Sequence, residues 1–211
     1  MKWEELLKIV KDQPVVETYM LTNQVADLPK LRVQLSRWVK AKKLNKIKNG
    51  IYLLSENYRT KPSRLDYLST LINRPSYISF EYALADYGLI PELIPNITLI
   101  TTRRPIKRSV EGRLFIYRNV KKELFWGFVA KGEKNFEAFY AEPEKALLDL
   151  LYFTRGKIDD VFIDELRLQN TEILDSNKLM EYAKRFDSPK ILRAAKYVCR
   201  YLERQKGFKE I

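Results

Sequence analysis

The sequence predicts an α+β protein in two parts: a small basic helix-and-hairpin unit, then a sheet packed with helices and a helical C-terminal tail. Three observations predict it. Pro29 to Leu54 carries eight Lys or Arg and no Asp or Glu, on a helical period that gives way to a period of two. Four apolar runs between Ile97 and Ala141 read as strands joined by short connections. From Pro143 onward the apolar spacing is that of helices.

Bulk properties bound the class. The chain has 211 residues, 45% hydrophobic and 31% charged, which is ordinary for a folded protein. No apolar run approaches the roughly 20 residues that span a bilayer, so no membrane partner is expected. Met1-Lys2-Trp3-Glu4-Glu5 lacks the apolar core of a signal peptide, and the expected location is cytoplasmic. Cys199 is alone, which leaves no intrachain disulfide and no Cys-based metal site. There is no His, the commonest general base and metal ligand. No Gly-rich loop is arranged to cradle phosphate. Neither a metal nor a cofactor is expected. The net charge of +12 points to an acidic polymer as partner. Eight of those charges lie in Pro29–Leu54, and everything else sums to +4.

In chain order, Trp3 to Lys11 reads as a short helix with Trp3, Leu6, Leu7 and Val10 on one face, ended by Pro14. Val15-Val16 reads as a short strand, and a helix starts near Thr18. Val25 to Leu28 is the turn into the basic helix. There, Leu31, Leu35, Trp38 and Val39 form one apolar stripe. Lys30, Val33, Ser36, Arg37 and Lys40 fall on the opposite face, with Arg32 and Gln34 on the flanks. Leu44 to Lys48 alternates, and Asn49-Gly50 before Ile51-Tyr52-Leu53-Leu54 is a strong hairpin signal. Ser55 to Thr60 reads as a linker, with a domain boundary near Asn57. Residues 62–72 read as a helix with Leu65, Leu68, Leu71 and Ile72 inward.

Pro75 to Ile78 leads to Ser79, an expected N-cap for a helix from Phe80 to Tyr87, with Gly88 following it. Tyr77, Phe80, Tyr82 and Tyr87 can stack bases or fill a core; their Ala83-Leu84 context favours the core. Ile97–Thr102, Arg113–Arg118, Phe125–Ala130 and Phe136–Ala141 are the expected strands of a small, mostly antiparallel sheet. Arg103 to Arg108 reads as a basic connection between the first two. Pro143 opens an apolar helix to Phe153. Helices are expected near Asp160–Leu168, Ser176–Arg185 and Pro189–Gln205.

A helix lined with cations and followed at once by a basic hairpin has the form of a winged helix-turn-helix, whose helix enters the major groove while the ribbon reaches phosphates. The bland alternative is a solvated amphipathic helix and an ordinary hairpin. On the DNA reading, Gln34, Ser36 and Arg37 are candidates for base edges. Arg32 flanks them, Lys30, Lys40, Lys42, Lys43, Lys46 and Lys48 neutralise phosphates, and Asn49 sits at the wing tip. The expected domains are residues 1–57, binding DNA, and 58–211. One helix reads few base pairs, so specificity calls for two copies on an inverted repeat, with a homodimer that can form on the DNA itself.

The competing class is a metal-dependent nuclease, active or degenerate. It needs clustered carboxylates near a Lys, and Glu142, Glu144 and Lys145 are the tempting group. Their structural reading is stronger: Glu144 belongs to the first turn of a helix, where a negative charge is favoured. Lys145 is expected at the surface, and Asp149 can cap, pair or meet a partner. The chain is therefore not expected to be an enzyme. Arg103, Arg104, Lys107 and Arg108, with Arg113, Arg118, Lys121 and Lys122, can face RNA, a nucleotide or an acidic protein, or stay solvated.

Four pieces together resemble the AbiEi family of antitoxins and transcriptional regulators. They are Leu44 to Tyr52; Ser76 to Leu84 before Tyr87-Gly88-Leu89-Ile90-Pro91; Thr101-Thr102-Arg103; and Ala141 to Leu151. The resemblance covers roughly Trp3 to Phe153. The family often carries Gly in the turn before the wing, where this chain has Ala41-Lys42-Lys43. The resemblance implies an N-terminal winged helix-turn-helix that represses its own promoter through an inverted repeat. It also implies a C-terminal domain that counteracts a nucleotidyltransferase-type toxin without a stable complex, with Arg103, Arg104, Lys107, Arg108, Lys145 and Asp149 as candidates in that domain. The alternative to this is a stand-alone regulator without a toxin.

Overall fold

The structure is a computed structural model that describes residues 1–209 apart from 11, 12, 23, 24, 26 and 135, and the side chains up to 205. The predicted Lys11 end of the first helix, Asn23, Ala26 and the Asn135 turn position lie outside the described residues. The chain is α+β and divides into two compact units, Met1–Ile72 and Asn73–Ile211. Among the described residues no helix is long and apolar enough to cross a membrane.

In the first unit the order is α1 (Trp3–Ile9), β1 (Val15–Glu17), α2 (Thr18–Thr22), α3 (Leu28–Lys40), β2 (Leu44–Lys48), β3 (Ile51–Leu54) and α4 (Leu65–Ile72). Asp27 caps α3, its carboxylate accepting from Lys30 N at 3.0 Å. The three strands form an antiparallel sheet with β3 in the middle. Val16, Leu44, Tyr52 and Leu54 share one face by register, and they pack with Leu6, Leu21, Leu31, Leu35 and Trp38 from the helices. Val15, Glu17, Ile51 and Leu53 share the other face. They are buried too, and the Tyr67 hydroxyl of α4 donates to Glu17 Oε1 at 3.0 Å. Both faces of the sheet are therefore covered.

This corrects the boundary expected near Asn57. The helix from Leu65 to Ile72 belongs to the first unit, because the sheet's second apolar face needs a cover and α4 supplies it.

The second unit has β4 (Ser76–Ile78), α5 (Phe80–Asp86), β5 (Ile97–Thr101), β6 (Ile106–Val110), β7 (Arg113–Asn119), β8 (Phe128–Lys131), β9 (Ala138–Ala141), α6 (Pro143–Phe153), α7 (Asp160–Glu165), α8 (Ser176–Arg185) and α9 (Pro189–Lys209). The six-stranded sheet runs β6-β7-β5-β4-β9-β8. It is mixed: three of its five pairings are antiparallel, and β5 pairs with β7, and β4 with β9, in parallel. The reason lies in the stretch read as a basic connection. Residues 106–110 are a strand that pairs outside β7, so β7 inserts beside β5 and runs in its direction.

Helix α6 packs against α5, α8 and α9. Ala146, Leu147, Leu148 and Leu151 are wholly buried. A helix apolar on every side belongs in an interior.

Candidate nucleic-acid interface

The apolar stripe of α3 faces the core as its spacing requires, with Leu31, Leu35 and Trp38 buried. Opposite it, Lys30, Arg32, Val33, Ser36, Arg37 and Lys40 are exposed, and Gln34 is half-buried. Lys42, Asn45, Lys46 and Asn49 are exposed on the turn and the hairpin that follow. Lys30 already has an anion: its Nζ lies 2.9 Å from Asp27 Oδ2 at the surface. The amide of Lys30, with this pair, holds the Asp27 carboxyl below the ordinary carboxylate range.

The turn between helix and hairpin explains the departure at Ala41-Lys42-Lys43. Lys43 N donates to Trp38 O (2.9 Å) and Lys42 N to Val39 O (3.0 Å), which is the paired closure of a Schellman motif. Its left-handed position is Lys42, at φ +56°. Glycine takes that conformation without cost, and lysine does not.

Two cations assigned to phosphate are used elsewhere. Lys43 is half-buried, with its ammonium 4.9 Å from the centre of the Trp3 ring and 5.8 Å from that of Tyr58. Lys48 donates to Leu71 O (3.1 Å) and Ile72 O (2.8 Å), the open carbonyl end of α4. A β-bulge between Lys46 and Lys48 is the cause: Lys46 stands opposite Tyr52, but Lys48 stands opposite Ile51. One extra residue reverses the alternation, so the two lysines leave from opposite faces. Strict alternation had put them together.

In the second unit, Arg103, Arg104, Lys107 and Arg108 are exposed, the last two on edge strand β6. Lys145 and Asp149 do not join them. Contrary to the expected surface position, Lys145 is fully buried and paired with Asp149 one turn along α6. Asp149 also accepts from Ser79 Oγ (2.8 Å) and the Tyr77 hydroxyl (3.1 Å), and Lys145 Nζ lies 2.8 Å from that same hydroxyl. The rings of Tyr77, Trp126 and Phe186 stand about the ammonium at 4.8–5.3 Å. Gly127, at φ +71°, lies against the Lys145 stem, where an added Cβ would meet Cγ at 3.1 Å. Burial pushes the Asp149 carboxyl up and the Lys145 ammonium down, against their mutual attraction. Ser79 precedes α5 as expected, but its hydroxyl serves Asp149 and makes no capping bond.

The carboxylates of the nuclease reading are tied to α8. Lys178 Nζ lies 2.9 Å from Glu142 and 3.2 Å from Glu144, Tyr182 donates to Glu142, and Asp175 N donates to Glu144. Among the described residues no group of three or more His, Cys, Asp or Glu could hold a metal ion. The signal that sequence reading missed was the Lys-x-x-x-Asp spacing inside a largely apolar helix, which lets two opposite charges pair one turn apart.

No protein-family model matches the chain, and comparison with characterised proteins finds no match.

Proposed function

We propose that the first unit binds duplex DNA, with α3 in the major groove and the β2–β3 hairpin as its wing, and that the protein regulates transcription. The observation that carries this reading is the segregation on α3. Leu31, Leu35 and Trp38 are buried on one side while Arg32, Ser36, Arg37 and Lys40 are exposed on the other, with Lys42 and Lys46 exposed on the next two segments. Arg37 and Ser36 suit base edges, with Gln34 beside them, and Asn49 stands in the hairpin turn. Lys30, Lys40, Lys42 and Lys46 suit phosphates.

Four phosphate contacts give a slope of log K against log salt of roughly −4. Gel-shift titration with the DNA upstream of the gene tests this. A near-flat slope, or no retardation at low salt, overturns the reading.

The resemblance to AbiEi antitoxins extends the proposal. The operator is an inverted repeat in the protein's own promoter, bound by two copies, and the second unit counteracts a nucleotidyltransferase-type toxin. Co-expression with a nucleotidyltransferase-like reading frame next to the gene is the test. Growth rescue supports it, and a neighbourhood without such a frame leaves a stand-alone regulator.

A further inference from the structure

The chain has a second concentration of positive charge, and it lies in the second unit. Residues 103–123 hold eight Arg or Lys against two Glu, a net of +6. With the +8 of Pro29–Leu54, this exceeds the charge of the whole chain, +12, so the remainder is net negative. Elsewhere in this unit five exposed or half-buried cations are matched: Lys131 with Asp86, Arg167 with Glu92, Lys178 with Glu142, Arg200 with Asp160 and Arg204 with Asp164. Arg103, Arg104, Lys107, Arg108, Lys121 and Lys122 are exposed, and none pairs with a carboxylate among the described residues.

Lys107 and Arg118 line a groove of about 580 Å³ with Ile106, Ile116, Asn119 and Phe153, among others; Arg103 and Arg104 precede its Pro105 in the chain, and Lys121 and Lys122 follow its Asn119. Lys107 stands opposite Ile116 in the β6/β7 register, and alternation adds Arg118 to their face. The Arg118 guanidinium lies 5.3 Å from the Phe80 ring centre and 5.4 Å from that of Phe153, which holds it over an aromatic floor. The groove lies at the sheet edge, since β6 is the first strand in the order β6-β7-β5-β4-β9-β8 among the described residues. Lysine on an edge strand also guards against aggregation. That accounts for Lys107 and Arg108, but not for the four cations in the flanking loops or for the apolar floor between them.

We infer that this edge groove binds single-stranded RNA. One base lies against Ile116 and Phe153, and Lys107 and Arg118 neutralise the adjoining phosphates. Arg103, Arg104, Lys121 and Lys122 follow the backbone on either side. A cationic track around a base-sized apolar platform is what single-strand binding requires. A lone nucleotide has too few phosphates for so many cations, and a paired duplex offers no free base face. Asn119 lines the end of the groove with its amide nitrogen donating to Arg103 O at 2.9 Å; in the proposal its amide oxygen accepts from a 2′-hydroxyl, the donor that deoxyribose lacks. This inference stands apart from the duplex reading of α3.

The test is fluorescence anisotropy of the full chain with a labelled RNA oligomer of about twelve nucleotides, the DNA oligomer of the same sequence, and duplex promoter DNA. The RNA is expected to bind, and at least about threefold more tightly than the DNA oligomer. Lys107→Ala with Lys121→Ala, both at exposed positions, should weaken RNA at least tenfold and leave the duplex unaffected. Phe153→Leu should reduce the quenching of a 2-aminopurine base in the oligomer. Arg37→Ala should leave RNA binding unchanged. Failure of the RNA to bind at tens of micromolar, equal loss of duplex binding in the double variant, or full competition by ATP at equal nucleotide concentration would each overturn the inference. DNA bound as tightly as RNA overturns the assignment to RNA.

Discussion

Lys48 Nζ sits 2.8 Å from the carbonyl oxygen of Ile72, at the far end of a helix from which β3 and a linker separate it in the chain. The last carbonyls of a helix have no partner of their own, and a cation there satisfies them and meets the negative end of the dipole. Lys48→Met should therefore cost about 1.5–3 kcal/mol of stability in the first unit, the scale of a lost charged hydrogen bond. Lys46→Ala, at an exposed position, should leave stability within about 0.5 kcal/mol. Urea denaturation checks both. On the DNA-binding proposal the pattern reverses in a salt titration: Lys46→Ala flattens the slope by about one, and Lys48→Met barely changes it.

Lys42 offers the opposite sign. A left-handed backbone costs a non-glycine residue about 1–2 kcal/mol, and part of that returns as the smaller freedom lysine has when unfolded. Lys42→Gly should stabilise the first unit by about 0.5–1 kcal/mol, seen as a rise of several degrees in its thermal midpoint. An unchanged or lower midpoint would mean that the lysine side chain contributes more than its backbone costs.

Local pattern made much of the fold legible. Period 3.6 in Leu31, Leu35 and Trp38 and the Asn49-Gly50 turn gave α3 and the hairpin within a residue or two of the observed bounds. What was not legible depends on non-local partners. Arg103 to Arg108 read as a connection although its last three residues open β6, a strand in which three of the five side chains are exposed and polar, as an edge strand permits. Ser76–Ile78 is too short to announce itself, and it became a central strand through partners on both sides. At the candidate sites, exposure of Arg37 and Lys40 followed from the helical wheel. The inward turn of Lys48 followed from one bulged residue and leaves no trace in local spacing; the burial of Lys145 came from helices that pack around α6, and only its spacing to Asp149 hinted at it.

Acid should loosen the second unit through Glu142. Burial alone would raise its carboxyl, but the Tyr182 hydroxyl and Lys178 ammonium outweigh it and hold it below its ordinary 4.5. Burial, with the bond to Glu142, pushes the Tyr182 hydroxyl up to about 12, against the nearby Lys178 charge. A carboxylate with a depressed folded pKa stabilises fully above its unfolded value, and that contribution is lost as pH falls through the folded one. The unit's thermal midpoint should thus fall below about pH 4.5. Glu142→Gln should lower it at neutral pH and reduce the fall on acidification. Calorimetry from pH 3 to 7 measures both, and a variant with an unaltered acid limb would show that other carboxylates set it.

The buried pair on α6 permits the sharpest measurement. Lys145 and Asp149 are both fully buried, so neither keeps water as a substitute partner. Removing one partner strands the other, at a cost of about 3–5 kcal/mol, whereas replacing both with apolar side chains removes the desolvation of both charges. Lys145→Met should therefore destabilise the second unit by about 3–5 kcal/mol. Adding Asp149→Leu should recover part of that, not all, because the hydroxyls of Tyr77 and Ser79 then lose their acceptor. The double-mutant cycle should give a coupling energy of about 1–3 kcal/mol in urea. Additive losses would show that the two side chains act independently, and that the network built on Tyr77 and Ser79 is held by packing alone.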